Sequence, residues 1–273
     1  MTVYWEELNS YLFDTSVSLV YNYRMNLEVP KIWELYPALA RSVKDMHQQA
    51  GLIASGHDAD HDFEVGQLAL MVAWPENQQD AVLAGVGGLL HSADRILEVT
   101  LGLEKATVSE VPTELVRSSV ISLIASCTDV SDQKSVDRIV NAVVHHGSRP
   151  NQPDDDLVMI AIADGDRLAN MGATLPIRSG QHNHGVRLLN PLTIDVDPSD
   201  RSPREKYNRP DSVLWDIQNC INWARNSDGP YALRLERSLE IGRIRAERLE
   251  RYIQDIMNDR IFIGLYPYPA GLL

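Results

Sequence analysis

Apolar residues recur every three or four positions along most of this chain, a spacing that places them on one face of an α-helix. Regular alternation of apolar and polar residues, which would favour β-strands, is far less frequent. The spacing predicts helices over residues 61–73, 80–91, 113–127, 134–146 and 156–171. The fold class that follows is all-α.

Residues that cap or end helices flank these segments. Pro75 follows the first, Asp80 is placed to cap the second, and Pro112 precedes the third. From about residue 180 to residue 211, prolines are spread among polar residues, which predicts a long loop. The helical pattern resumes after it.

The C-terminal part carries the longest amphipathic pattern. From Leu235 to Ile256 the apolar residues alternate steps of four and three, which predicts a long helix. Gly242 and Ala246 in this seam would let a neighbouring helix approach closely. We predict a helical domain with N-terminal helices over residues 1–180, and, over residues 181–273, the loop and a C-terminal helix packed on the same domain. A homodimer through this helix is the alternative.

The charge of the chain limits its partners. The formal net charge is −13 over 273 residues, whereas proteins that bind long nucleic acids present an excess of Lys and Arg. A small phosphorylated molecule remains compatible, because local arginines and a metal ion can outweigh the average field. No apolar stretch approaches the roughly 18 residues that span a bilayer, and the first residues carry acids where a secretory signal carries bases. We therefore expect no nucleic-acid or membrane partner and a cytoplasmic location.

Histidine and aspartate residues fall on four separate predicted helices. His61 begins one, His91 and His146 end two others, and Asp164 and Asp166 lie inside a fourth. Helices that converge in a bundle can build a metal site from ligands far apart in sequence. Imidazole and carboxylate together suit a divalent ion such as Mn, Fe, Co, Ni or Zn.

The sequences around these residues resemble the HD superfamily of metal-dependent phosphohydrolases. The similarity covers about residues 40–180 and is most specific at Asp-Arg-Leu followed by Asn-Met, a pattern that is also similar to alarmone hydrolase domains. It implies an HD-type helical bundle in which His61, His91 and Asp166 bind the metal, with Asp164 and His146 beside it or binding a second ion. The segments that carry the resemblance are GHDADHDFEV (56–65), AGVGGLLHSADR (84–95), IVNAVVHHGSRP (139–150) and IADGDRLANMGA (162–173).

The chain departs from the family at the doublet that gives the superfamily its name. His-Asp is replaced here by His91-Ser92, so a carboxylate that the family uses as a metal ligand is missing. Asp94 lies three residues after His91 and would share its helical face, which makes it the nearest substitute. Asp58 and Asp62 are further candidates.

The chemistry implied by the resemblance is hydrolysis of a nucleotide or another small phosphoester by a metal-activated water. Arg149, Arg167 and Arg178 are the nearest cations for the phosphoryl oxygens, with Arg178 the candidate for substrate binding. Asp164 or His146 would orient the attacking water or accept its proton.

Two alternatives come from other functional classes. One is a diiron oxygenase of the HD type, in which His146 and Asp62 help to bind a second metal. The other is a degenerate HD domain that serves as a binding module, for which Ser92 is the direct sequence indication.

Overall fold

The computed structural model describes residues 28–52, 58–103, 109–147, 149–182, 185–190 and 212–267. In this part of the chain all regular structure is α-helical, apart from an isolated β-bridge between Arg187 and Ser212. The all-α prediction is confirmed. The helices are α1 (Ile32–Leu35), α2 (Pro37–Gln49), α3 (Ala59–Ala73), α4 (Gln78–Leu89), α5 (Ala93–Thr100), α6 (Thr113–Cys127), α7 (Gln133–His145), α8 (Leu157–Ala169), α9 (Leu175–His182), α10 (Val213–Arg225) and α11 (Glu236–Phe262).

Short polar side chains cap the N-termini of α3, α4, α7 and α8. Asp58 accepts a hydrogen bond from the N–H of His61 at the start of α3. The prediction that Asp80 caps α4 is wrong, because Asn77, whose backbone is extended, accepts the N–H of Asp80 instead. The Asp80 carboxylate pairs with Arg138 at 2.6 Å.

The prediction that the second helix runs to residue 91 is also wrong. Helix α4 ends at Leu89, and residues 90–92 form a turn before α5 begins at Ala93. Two consecutive glycines precede this end, and glycine is the weakest helix former after proline. His91 therefore lies in the turn, and it shares no helical face with Asp94.

Glycines allow the backbones of α3, α4 and α8 to approach closely at the centre of the bundle. A methyl group on Gly88 of α4 would lie 2.7 Å from the Cα of Gly66 on α3. A methyl group on Gly165 of α8 would lie 2.9 Å from the backbone N of Ala69 on α3. The glycines of α4 therefore serve close helix packing.

The C-terminal helix α11 packs on α10, α8 and α3. Its buried face includes Ile241, Ala246 and Leu249, and a methyl group on Gly242 would lie 3.1 Å from the Cβ of Ala224 on α10. The close approach permitted by Gly242 is thus made within this chain. The homodimer and the division at residue 180 stay predictions.

Most of the predicted loop, including residues 191–211, and the N-terminal residues 1–27 lie outside the described residues. Within the part that the structure describes, no helix combines the length and the apolar character that a membrane crossing requires.

Candidate metal centre

Three of the predicted ligands meet in one cluster. His61 comes from the first turn of α3, His91 from the turn after α4, and Asp166 from the second half of α8. One ligand atom from each lies within 4.8 Å of the others. The Oδ1 atom of Asp166 is 3.3 Å from Nε2 of His61 and 3.8 Å from Nε2 of His91.

The backbone fixes the tautomer of His91. Its Nδ1–H donates to the carbonyl of Gly88 at 2.8 Å, which leaves Nε2 with a lone pair. Burial lowers the pKa of His91 to about 4. The ring is therefore neutral at pH 7, the form in which imidazole binds a metal.

Asp166 supplies the anionic member of the cluster. Burial alone would raise the pKa of this carboxyl, but a hydrogen bond from His61 and the proximity of His91 outweigh it and hold the pKa well below its usual range. Asn170 also donates to Oδ1, at 2.9 Å. The side chain of Asp166 is 22% exposed, while those of His61 and His91 are 1% and 3% exposed, so solvent reaches the cluster beside Asp166.

This donor set fits a divalent transition ion. Ligands at about 2.1 Å from a tetrahedral ion stand roughly 3.4 Å apart, close to the two distances that Asp166 Oδ1 makes to the imidazoles. Two imidazoles and one carboxylate also match the number of protein ligands at catalytic zinc sites, where one position stays open for water or substrate. His61, His91 and Asp166 could therefore hold a metal ion.

Ser92 interacts with the nitrogen that would bind the metal. Its hydroxyl lies 3.2 Å from Nε2 of His91, and, since Nδ1 is already a donor, the hydroxyl donates and Nε2 accepts. An ion at this position would compete with that hydrogen bond. The hydroxyl of Ser92 thus occupies the lone pair of His91 Nε2.

His47, which sequence reasoning missed, forms a buried pair with Asp62 behind the cluster. Nε2–H of His47 on α2 donates to Oδ2 of Asp62 at 2.8 Å, and both side chains are almost fully buried. The other oxygen of Asp62 lies 3.4 Å from Nδ1 of His91. Carboxylates in this position orient a ligating imidazole and raise its basicity. A signal was present, because His47 follows Leu39 and Val43 on the buried face of α2.

His146 borders the cluster and is not one of its three members. Its ring centroid is 5.4 Å from that of His91, and its Nδ1–H donates to the carbonyl of Val143 at 2.8 Å. Nε2 of His146 therefore remains an acceptor. Asp94, the proposed substitute ligand, is not brought into the cluster; its Oδ1 accepts the N–H of Arg95.

Asp164 faces the start of α11. Its Oδ2 accepts hydrogen bonds from the N–H groups of Arg234 at 2.9 Å and Leu235 at 3.0 Å, and from the hydroxyl of Ser238. This carboxylate, fully buried, acts as the N-cap that α11 lacks in its own sequence. Burial raises the pKa of Asp164 despite these hydrogen bonds.

The three predicted arginines have separate surroundings. Arg167 is buried, 3.5 Å from Oδ1 of Asp164, and donates to the carbonyl of Ala232. Arg149 pairs with Asp155. Arg178 lies on α9, which packs against α10, and it does not line the pocket that contains Arg149 and Arg167.

That pocket contains two further charged residues that sequence reasoning missed, Arg234 and Asp155. They come from segments 79 residues apart that carry no recognisable motif. No sequence signal in this chain indicated their association.

Comparisons with protein-family models, with curated proteins and with solved structures found no match to this chain.

Proposed function

We propose that this protein is a metal-dependent phosphohydrolase of the HD type that acts on a nucleotide or another small phosphoester. The observation that carries the proposal is the cluster of His61, His91 and Asp166, which two helices and a turn deliver to one point with the donor atoms that a divalent ion requires. The resemblance of the surrounding sequence to the HD superfamily supplies the reaction class.

The protonation states of His91 and Asp166 support this proposal. His91 presents a neutral imidazole with Nε2 free of its proton, and Asp166 is ionised, so two of the three ligands are already in the state that binds metal. When bound, a divalent ion supplies an activated water and polarises a phosphoryl oxygen.

The chain's own residues provide the remaining roles. Nε2 of His146 is an acceptor beside the cluster and is placed to take a proton from the attacking water. Arg149 and Arg167 line the adjoining pocket and are placed to bind phosphate oxygens of the substrate. We assign Asp164 to the cap of α11, because the N–H and hydroxyl donors around it occupy its Oδ2 atom.

A second candidate function is a degenerate HD domain that binds a ligand without hydrolysing it. The hydrogen bond from Ser92 to His91 favours it, since it occupies the lone pair that a metal would use. In this alternative the cluster is a hydrogen-bonded part of the core that holds no metal, and the adjoining arginines alone bind the anion.

Metal content separates these functions. Elemental analysis of protein purified without added metal should give one transition ion per chain. Alanine at His61, His91 or Asp166 should abolish metal retention with little loss of helical signal in circular dichroism. Asp60→Ala serves as the matched control, because Asp60 is an exposed carboxylate on α3 next to His61. Two irons per chain would instead support the oxygenase, and retention of metal by His91→Ala would refute the assignment of the site.

Activity is tested on generic phosphomonoesters, nucleotides and cyclic dinucleotides with Mn, Co or Ni added. We expect turnover that a chelator abolishes and that Asp166→Ala loses, while Asp60→Ala keeps it. If no substrate turns over faster with the parent than with Asp166→Ala under any metal, the hydrolase proposal fails.

A further inference from the structure

The pocket beside the cluster has a composition that the hydrolase proposal does not explain in full. It lies between the end of α7 and the segment that enters α11, and its empty volume is about 160 Å³ including the solvent at its mouth. We define the arginine pocket by its polar lining residues His145, His146, Arg149, Asp155, Arg167 and Arg234.

The arginine pocket carries a local excess of positive charge. Three of its lining residues are arginines and one, Asp155, is a carboxylate, in a chain whose formal net charge is −13. Burial and the nearby charge of Arg149 lower the pKa of His145, which agrees with a positive local field. An acidic protein gains nothing in solubility by gathering three cations at one point, so the pocket suits an anion.

Asp155 aligns two of these arginines without satisfying them. Its Oδ1 accepts from Arg149 and its Oδ2 accepts from Arg234 at 2.7 Å, while its own side chain is 3% exposed. Burial raises the pKa of Asp155, but the N–H of Gln152 and both guanidinium groups outweigh it, so the carboxylate stays ionised. Nη1 of Arg149 and Nε of Arg234 are buried and donate to no partner within the described residues. Donors left in this state gain when an anionic oxygen reaches them.

The surrounding backbone holds the pocket in place. Asn151 bonds through its N–H to the carbonyl of Pro230 and through its side chain to that of Ala232, to which Arg167 also donates. The N–H of Arg234 is bound to Asp164. A ligand that enters therefore orders few groups, and little conformational entropy is lost.

The pocket is adjacent to the metal cluster and separate from it. None of His61, His91 and Asp166 lines it, while His146 lines it and contacts His91. An anion bound there is therefore a different group from one that reaches the three ligands.

We propose that the arginine pocket is a subsite for a phosphate group, with Arg149 and Arg234 as its main binding residues. Resting on the proposed function, this group is a second phosphate of the substrate, held beside the one that is hydrolysed. The substrate class narrows accordingly to small molecules that carry more than one phosphate group.

Inorganic phosphate is the probe, measured by isothermal titration calorimetry on full-length protein stripped of metal, at constant ionic strength in chloride. The parent should bind one phosphate per chain. Arg149→Gln and Arg234→Gln should each weaken binding about tenfold or more, the size of one charge-assisted hydrogen bond. Arg225→Gln is the matched control, since it removes the same charge from an exposed pair with Glu250 and should change affinity less than twofold.

The outcomes separate this inference from the hydrolase proposal. Asp166→Ala, which removes a metal ligand, should bind phosphate as the parent does, so a protein without metal or activity can still confirm the pocket. If Arg234→Gln does not fold, Arg149→Gln decides, because its side chain is 31% exposed and tolerates replacement better. Absence of saturable binding by the parent, or equal weakening in Arg149→Gln and Arg225→Gln, would overturn the inference.

Discussion

The contact between Gly165 and α3 is the point at which a single added methyl group should damage both the fold and the site. The Cβ of Gly165→Ala would lie 2.9 Å from the backbone N of Ala69, 3.0 Å from the carbonyl O of Val65 and 3.2 Å from the Cα of Ala69. All three atoms belong to a backbone inside α3, so no side chain can rotate away. Helices α3 and α8 must separate, and they carry His61 and Asp166.

Comparing two glycine-to-alanine variants isolates the destabilisation caused by this contact. Gly180 lies in the last turn of α9, and a methyl group there would meet nothing within 4 Å. Glycine to alanine gains up to about 1 kcal/mol of helix propensity at either position. The difference between the two variants therefore isolates overpacking, which costs about 1–3 kcal/mol in well-packed cores.

Urea denaturation followed by circular dichroism at 222 nm measures the comparison. We expect the free energy of unfolding of Gly165→Ala to be about 1–3 kcal/mol below that of Gly180→Ala. Metal affinity should fall in Gly165→Ala and stay unchanged in Gly180→Ala. Equal stability of the two variants would show that α3 and α8 are not in the contact described, and the geometry of the cluster would have to be revised.

Three further variants test the surroundings of the cluster. Ser92→Asp should tighten metal binding by about tenfold or more, because it replaces the hydroxyl that donates to His91 with an anionic ligand; unchanged affinity in a folded variant would mean that another group already fills this position. His47→Leu should destabilise the protein by about 3–5 kcal/mol because it leaves the buried Asp62 carboxylate without its partner; the double variant His47→Leu/Asp62→Leu should be more stable than the single one in thermal denaturation. Asp164→Ala should cost about 2–4 kcal/mol, since α11 loses its cap and buried N–H groups lose their acceptor; a variant as stable as the parent but inactive would instead support a catalytic role.

The helices could be predicted from sequence because the signal is local. The apolar spacing of α3, α6, α7 and α8 is a pattern of residues within one or two turns of each other. The end of α4 was harder to predict, since its apolar pattern continues through Leu90 to His91 although the helix ends at Leu89. Two glycines in succession were the available warning.

The candidate ligands could be predicted because their local contexts are characteristic, although the distances between them depend on the fold. The roles of the residues around these ligands could not be predicted from the sequence. Asp164 resembles a catalytic acid in sequence, yet the donors that occupy it are 70 and 71 residues away in Arg234 and Leu235. The packing of α11 against α8 brings these partners to Asp164, and no local sequence pattern encodes that packing.

The cluster contains one carboxylate, Asp166, and the buried Asp62 does not add a second. Asp62 approaches Nδ1 of His91, whereas the cluster forms at Nε2, on the other side of the ring. Asp62 can therefore raise the basicity of the His91 imidazole as a metal ligand, but it adds no oxygen to the cluster. A site with two nitrogens and one carboxylate oxygen favours Fe, Co, Ni or Zn over Mn, which prefers oxygen ligands. Ser92→Asp would place a second carboxylate beside Nε2 of His91, so that variant should gain more affinity for Mn than for Zn.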